Sequence, residues 1–271
     1  MRIVRILLIL LMAHISWPDI CAQDFCAGAR ARAMGNTGVA DTSAWSLWNN
    51  PSGLSRLSEY HAIISDERLY GISEIKSFSA GIIVPFNKQY VAGISLQKQG
   101  YEFFNDQQIG IHLAHAIGIY SISASFVLWQ RVAGDYFREL YPMLNIGGIM
   151  VLNRSVQLGL HLTNTTNTQN EAETIPFQLK AGILYKVSKQ VLVYGDLVKN
   201  SNEILHLRTG LEYHIHTHFY LRTGIMTKPL RMNGGFGFKN KKCAVDYSLS
   251  WQQPLGYRHQ LSVLISLKKQ P

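Results

Sequence analysis

Three histidines, His214, His216 and His218, alternate along the chain, an arrangement that would turn three imidazoles to one side of a continuous strand. Imidazole is a good transition-metal ligand, but no acidic or cysteine ligand pattern accompanies the three, and the strand pattern breaks at 215–216. No GxSxG elbow, HExxH pair or CxxC dithiol occurs, so neither a nucleophile, a zinc centre nor a redox site is expected, and no enzyme activity or cofactor. The remaining chemistry is electrostatic. Lys180, Asp196, His206, Arg208, Glu212, Arg222 and Asp246 fall on successive late segments with mixed sign. If enclosed, such charges are costly unless paired, so they are expected to engage one another or Arg30, Arg32 and Asp41 near the N-terminus. A polar conduit is the functional alternative to that self-satisfied network.

The elements that would carry these residues follow from composition and periodicity. The 271 residues are 47% hydrophobic and 16% charged, with 26 basic against 17 acidic side chains. That excludes an acidic disordered chain or a wholly polar repeat. The formal charge of +9 suits anionic lipid or an acidic partner. Its scatter along the chain argues against nucleic acid.

Beyond the N-terminus no apolar run approaches the roughly 20 residues of a membrane helix. Segments of alternating apolar and small or polar residues recur instead, separated by short polar turns. They lie at 57–67, 74–85, 89–98, 106–114, 117–129, 140–150, 154–163, 174–185, 189–199, 203–214, 217–226, 231–239, 242–250 and 257–267. In the fifth, Tyr120, Ile122, Ala124, Phe126 and Leu128 oppose Ser121, Ser123 and Ser125. The polar face of a soluble sandwich meets water and favours lysine, glutamate and threonine. Here it carries glycine and serine, which suit a narrow lumen.

The expected fold is therefore all-β: a transmembrane antiparallel β-barrel of about fourteen strands, closed because unpaired edge groups in hydrocarbon cost several kcal/mol each. A secreted soluble β protein is the alternative. With both termini in the periplasm, the connections 99–105, 130–139 and 164–173 would face outside and be the longer ones. Tyr101, Phe103, Phe104, Tyr136 and Phe137 on them could contact a partner or anchor at the lipid interface. Tyr90, Tyr120, Trp129, Tyr141, Tyr185, Tyr213, Phe219 and Trp251 fall near strand ends, where headgroups would hold an aromatic ring.

The organisation expected is a signal peptide over 1–22, a plug segment over 23–55 and the barrel over 56–271. Arg2 and Arg5 precede the apolar run Ile6 to Ala13, and Ala22-Gln23 offers a cleavage point; Cys21 as a lipoprotein cysteine is the alternative. A bridge between Cys26 and Cys243 is permitted but not required. Segment 23–55 does not alternate. Gly35, Gly38 and Gly53 signal turns or close backbone approach, and Thr42 or Ser43 would cap a short helix with Trp45, Leu47 and Trp48, ended by Pro51 and Gly53.

Within this segment, Gly28-Ala29-Arg30-Ala31-Arg32-Ala33-Met34-Gly35, then Gly38 to Ala44, then Trp48-Asn49-Asn50-Pro51-Ser52-Gly53-Leu54 resemble the N-terminal signature of the FadL-type, fatty-acid-transporter-like superfamily of outer-membrane barrels. Compact size makes the PorV/PorQ-like branch of Bacteroidota look closest. The resemblance implies that the segment folds into the barrel as a hatch, with Trp48, Asn49, Pro51, Gly53 and Leu54 at the corner entering the first strand. Asn36 replaces an expected glycine, Thr42 an expected aspartate, and an extra Asn50 precedes Pro51. The terminal strand also lacks the usual final aromatic. The function implied is a non-enzymatic subunit of a protein export, surface-attachment or assembly complex, similar to a type IX secretion accessory component with a protein partner. The alternative is a transporter or binder of an acyl or other apolar molecule, its pocket lined by Phe25, Met34, Trp45 and Trp48.

Overall fold

The computed structural model describes residues 27–87, 89–166, 175–201 and 204–269. The proposed signal peptide, Phe25, Cys26 and most of the 164–173 connection lie outside them. Cys243 is a free thiol. Fourteen strands alternate in direction and close on themselves, β1 pairing with both β2 and β14. They are β1 (Glu59–Leu69), β2 (Lys76–Pro85), β3 (Tyr90–Gly100), β4 (Phe104–Ile117), β5 (Tyr120–Ala133), β6 (Phe137–Val151), β7 (Val156–Thr163), β8 (Gln178–Lys186), β9 (Val191–Asn200), β10 (His206–His214), β11 (Phe219–Thr227), β12 (Leu230–Lys239), β13 (Cys243–Gln252) and β14 (Gly256–Lys269).

Period-two alternation becomes two different surfaces. Tyr120, Ile122 and Phe126 are about half exposed on the outer wall, whereas Ser121, Ser123 and Ser125 are buried inside. The same division holds around the circumference, with Ile111, Leu160, Leu211, Phe236 and Leu261 outward and Ser65, Ser248, Ser250 and Ser262 inward. An outer wall this apolar, on a sheet with no free edge, is that of a membrane-spanning barrel.

Three expectations need correction. The 130–139 connection is largely strand: β5 continues to Ala133 and β6 begins at Phe137, leaving a tight turn with Gly134 at φ 56°. Lengthening these strands gains ladder hydrogen bonds and carries Arg131 into the lumen beside Asp106. Trp129 and Tyr141 are not headgroup anchors, because both point inward and are 3% and 1% exposed. Finally, the short helix starts later than expected: α2 (Ser46–Asn49) follows Trp45, itself helical in backbone, and Ser43 Oγ accepts from the Trp45 amide at 3.3 Å just ahead of it.

The N-terminal segment occupies the interior. α1 (Ala29–Ala33) packs on β12, β13 and β14, and α2 leads into a 3-10 turn, Pro51–Arg56, that packs on β3 to β6. Pro51 and Gly53 lie within that turn rather than ending the helix. Trp45, Leu47 and Leu54 form a core with the inward Ile83, Val91, Ala114 and Leu264. Close approach explains two glycines. Gly35 adopts φ 72°, where a Cβ would stand 2.9 Å from the carbonyl oxygens of Thr209 and Ile225; one on Gly224 would overlap the backbone of Met34 at 2.2 Å.

Replacing Gly224 with valine should therefore lower stability by about 1–3 kcal/mol through overpacking, whereas Gly234→Ala, on the outer wall, should be near neutral. Thermal unfolding of the detergent-solubilised protein, followed by loss of heat-modifiable migration, measures both.

Candidate functional site

Every charge expected in the lumen lies on the inward register, and the N-terminal segment supplies many of the partners. Arg30 leaves α1 at its centre. Its Nε donates to Glu212 Oε2 at 2.9 Å, its Nη1 to Asp41 Oδ2 at 2.8 Å, and its Nη2 to Tyr194 Oη at 2.8 Å. Arg222 bridges Glu212 at 2.6 Å to Asp246 at 2.6 Å. Burial alone would pull the Arg30 guanidinium down, but Asp41 and Glu212 outweigh it and hold the group well above its ordinary value. The charge on Arg30 is thus fixed at any physiological pH.

The other expected residues form a second group. Asp196 accepts from the Gly38 and Val39 amides at 2.8 and 3.2 Å, anchoring a backbone turn, within electrostatic reach of Arg208 and Lys180. Arg208 Nη1 donates to the Asn36 carbonyl at 3.2 Å, and Asn36 holds φ 60°, a conformation asparagine tolerates. Lys180 faces His161 across the β7–β8 ladder, and His206 is buried opposite Val198. Of the signature residues, Gly28, Ala29, Ala31, Met34, Gly35, Pro51, Gly53 and Leu54 are buried, while Trp48 and Asn49 are partly so. Gly28 takes φ 98° with its missing Cβ against the Trp45 ring. Tyr136 is 99% exposed, and Tyr101, Phe103 and Phe104 are exposed with Phe137 half-buried nearby at the end opposite the termini. His216 and His218 stack on the surface at 5.8 Å between centroids. Among the described residues no group of histidine, cysteine or carboxylate residues is arranged to hold a metal.

Several residues of this interior escape a strand-by-strand reading. Glu67, fully buried, accepts from Arg32 at 2.8 Å and from Arg258 at 2.8 Å, joining the N-terminal segment to β1 and β14. Arg131 grips Asp106 with two donors at 2.7 and 3.1 Å. Asn50, the residue inserted before Pro51, donates to the Val39 carbonyl at 2.7 Å and reaches the Gly148 and Leu160 carbonyls at 3.2 and 3.3 Å. Its Oδ1 accepts from Ser52, so the insertion caps the 3-10 turn and ties it to two strands. Of the first two groups only Arg32 is among the charges expected from sequence; strand register and the fold of the N-terminal segment bring the others together.

Two apolar clusters of the interior involve the N-terminal segment; a third, among the described residues, does not. Val127, Trp129, Tyr141, Met143 and Ile175 form a buried apolar cluster toward the end opposite the termini. Beside it the β6–β7 ladder ends at Ile146↔Leu162, although β6 continues to Phe137. Thr165 reaches the Leu144 carbonyl at 2.9 Å just beyond that point.

No protein-family model matches the chain, and no curated protein matches it significantly. Solved structures do. The chain is similar to the CymD monoaromatic hydrocarbon channel (13% identity, 90% of this chain and 98% of that one, TM-score 0.64). It is also similar to a FadL homologue of Pseudomonas aeruginosa (9% identity, 89% and 98%, TM-score 0.68) and to the Pseudomonas putida toluene transporter TodX (11%, 89% and 98%, TM-score 0.66).

Removing a carboxylate that serves two buried arginines should be costly: Glu67→Gln is expected to destabilise by about 3–5 kcal/mol. The exposed Glu74→Gln should leave stability essentially unchanged. Equilibrium unfolding in urea with mixed micelles checks the contrast. The closed sheet, its outer wall and these likenesses make the protein a multi-pass transmembrane β-barrel with the FadL-type, outer-membrane fold.

Proposed function

We propose that the protein is a non-enzymatic outer-membrane channel that admits an apolar small molecule from the outer face. The carrying observation is the cluster Val127, Trp129, Tyr141, Met143 and Ile175, inward-facing and apolar and, unlike the other two buried apolar clusters, built without residues of the N-terminal segment. Desolvating an apolar ligand there is favourable, and the aromatic pair Trp129 and Tyr141, 6.0 Å apart, offers ring faces to it. The described β6–β7 ladder ends beside this cluster at Ile146↔Leu162. Solved neighbours whose names specify hydrocarbon transport support this reading over the accessory-subunit reading. Met34 and Trp45, expected to line a pocket with Trp48, lie away from this cluster, packed in the cores that the N-terminal segment makes with the wall.

The export or attachment subunit, in the PorV/PorQ-like sense, is the second reading. It has in its favour the aromatic tips at the same end, where the Gly134 amide donates to the Phe103 carbonyl and joins the two turns that carry them. An aromatic group so exposed suits a protein partner.

A carboxylate within the apolar cluster separates these readings. Met143→Asp should reduce uptake of a radiolabelled monoaromatic hydrocarbon into proteoliposomes by about tenfold or more, since 1.4 kcal/mol of lost affinity already gives that factor. Asn153→Asp on a far turn should leave uptake unchanged. Uptake no better than empty liposomes, or unaffected by Met143→Asp, would overturn the channel reading.

A further inference from the structure

At the end of the barrel where β1 begins and β14 ends, the lumen opens into a cavity of about 470 Å³. Its floor is the network of Arg30, Arg222, Glu212 and Asp246, in which every carboxylate is already engaged by an arginine. One wall is apolar, formed by Trp45, Leu57, Leu184 and Leu264. Its rim carries Lys186, Lys239 and Lys241, all exposed. The turns at 152–155, 186–190, 214–218 and 239–242 together hold Arg154, Lys186, Lys189, Lys239, Lys241 and Lys242, and no aspartate or glutamate. Glu59 is the acidic residue on the cavity rim. The opposite end mixes signs, with Glu74, Glu102 and Asp135 exposed among its cations.

We propose that this mouth is a docking site for an acidic, extended peptide segment of a periplasmic protein, whose carboxylates meet the rim lysines while an apolar side chain enters the cavity. Strand alternation separates this from lipid contact. Lys186 and Lys239 share the inward register of Leu184 and Gly237, while Tyr185 and Phe238 between them face the bilayer. A lysine serving headgroups would extend from the outward register. The cations are also spread over two turns with apolar side chains between them, which fits a string of carboxylates better than one compact anion. Opposite charge distributed this way sets encounter rate and orientation. The inference stands apart from the apolar-cargo reading, since it uses the opposite end of the barrel.

The test uses the full-length protein in nanodiscs of zwitterionic lipid and a fluorescein-labelled peptide of one tryptophan followed by six alternating aspartates and glutamates, with anisotropy as readout. Saturable binding is expected, weakened about tenfold or more by the combined K186E, K239E and K241E substitutions. Raising salt from about 0.05 to about 0.5 M should weaken it as well. Combined K76E, K98E and K228E at the opposite end should leave it unchanged, with heat-modifiable migration confirming that both variants fold. Lys241→Gln alone, on an exposed turn, should weaken binding measurably should the triple variant not fold. Absence of saturable binding, equal binding by the rim variants, competition by inorganic phosphate at equal charge, or binding that needs phosphatidylglycerol in the disc would overturn the proposal.

Discussion

A backbone amide or carbonyl left unpaired in hydrocarbon costs several kcal/mol, and that constraint organises the whole molecule. It forces the sheet to close through β1 and β14, whose ladder runs from Glu59↔Lys269 to Leu69↔Arg258. Closure in turn creates an inside that bulk water does not fill. Half of each strand's side chains must then be small, mutually bonded or packed against something. The serines on β5, β13 and β14 meet the first demand, the ion pairs the second, and the N-terminal segment the third.

Segment and wall are consequently one electrostatic unit. Arg30 and Arg32 each leave α1 for carboxylates on different strands, Glu212 on β10 and Glu67 on β1, so α1 is pinned at two separate places on the wall. Asp196 holds the turn after it through two amides, and Asn50 holds the next corner through three carbonyls. This arrangement seals the middle of the lumen and leaves two differently built ends. One has a buried apolar cluster near an incomplete ladder, and the other a charged mouth with a basic rim. Function is argued from that polarity, since fold likeness at 9–13% identity carries the architecture alone.

The strands were legible because alternation is a local property: all fourteen segments read from periodicity correspond to strands, with ends displaced by a few residues. Ends moved outward where hydrogen bonding to a neighbour could continue, as between Arg131 and Glu139 on β5 and β6. The inward charges from Lys180 to Asp246 were legible for the same reason. Their partners were not, because the contact of Arg32 with Glu67, or of Arg222 with Asp246, depends on register and on a segment folding across the lumen. Trp129 and Tyr141 were misjudged by the rule that aromatic rings near strand ends sit among headgroups. Their register is luminal, and it was the polar alternation of Ser121 to Ser125 on the same strand that held the correct phase.

The account is tested most directly by where each face of the wall sits in a bilayer. Nitroxide labels placed one at a time at Ile111, Phe126, Leu160, Leu211, Phe236 and Leu261 in lipid vesicles should all relax strongly with dissolved oxygen and weakly with a water-soluble nickel chelate. Labels on the turns at Asn153 and Lys241 should show the reverse. Strong relaxation by the nickel chelate at the six wall positions would place them in water and contradict the membrane-spanning barrel on which the rest depends.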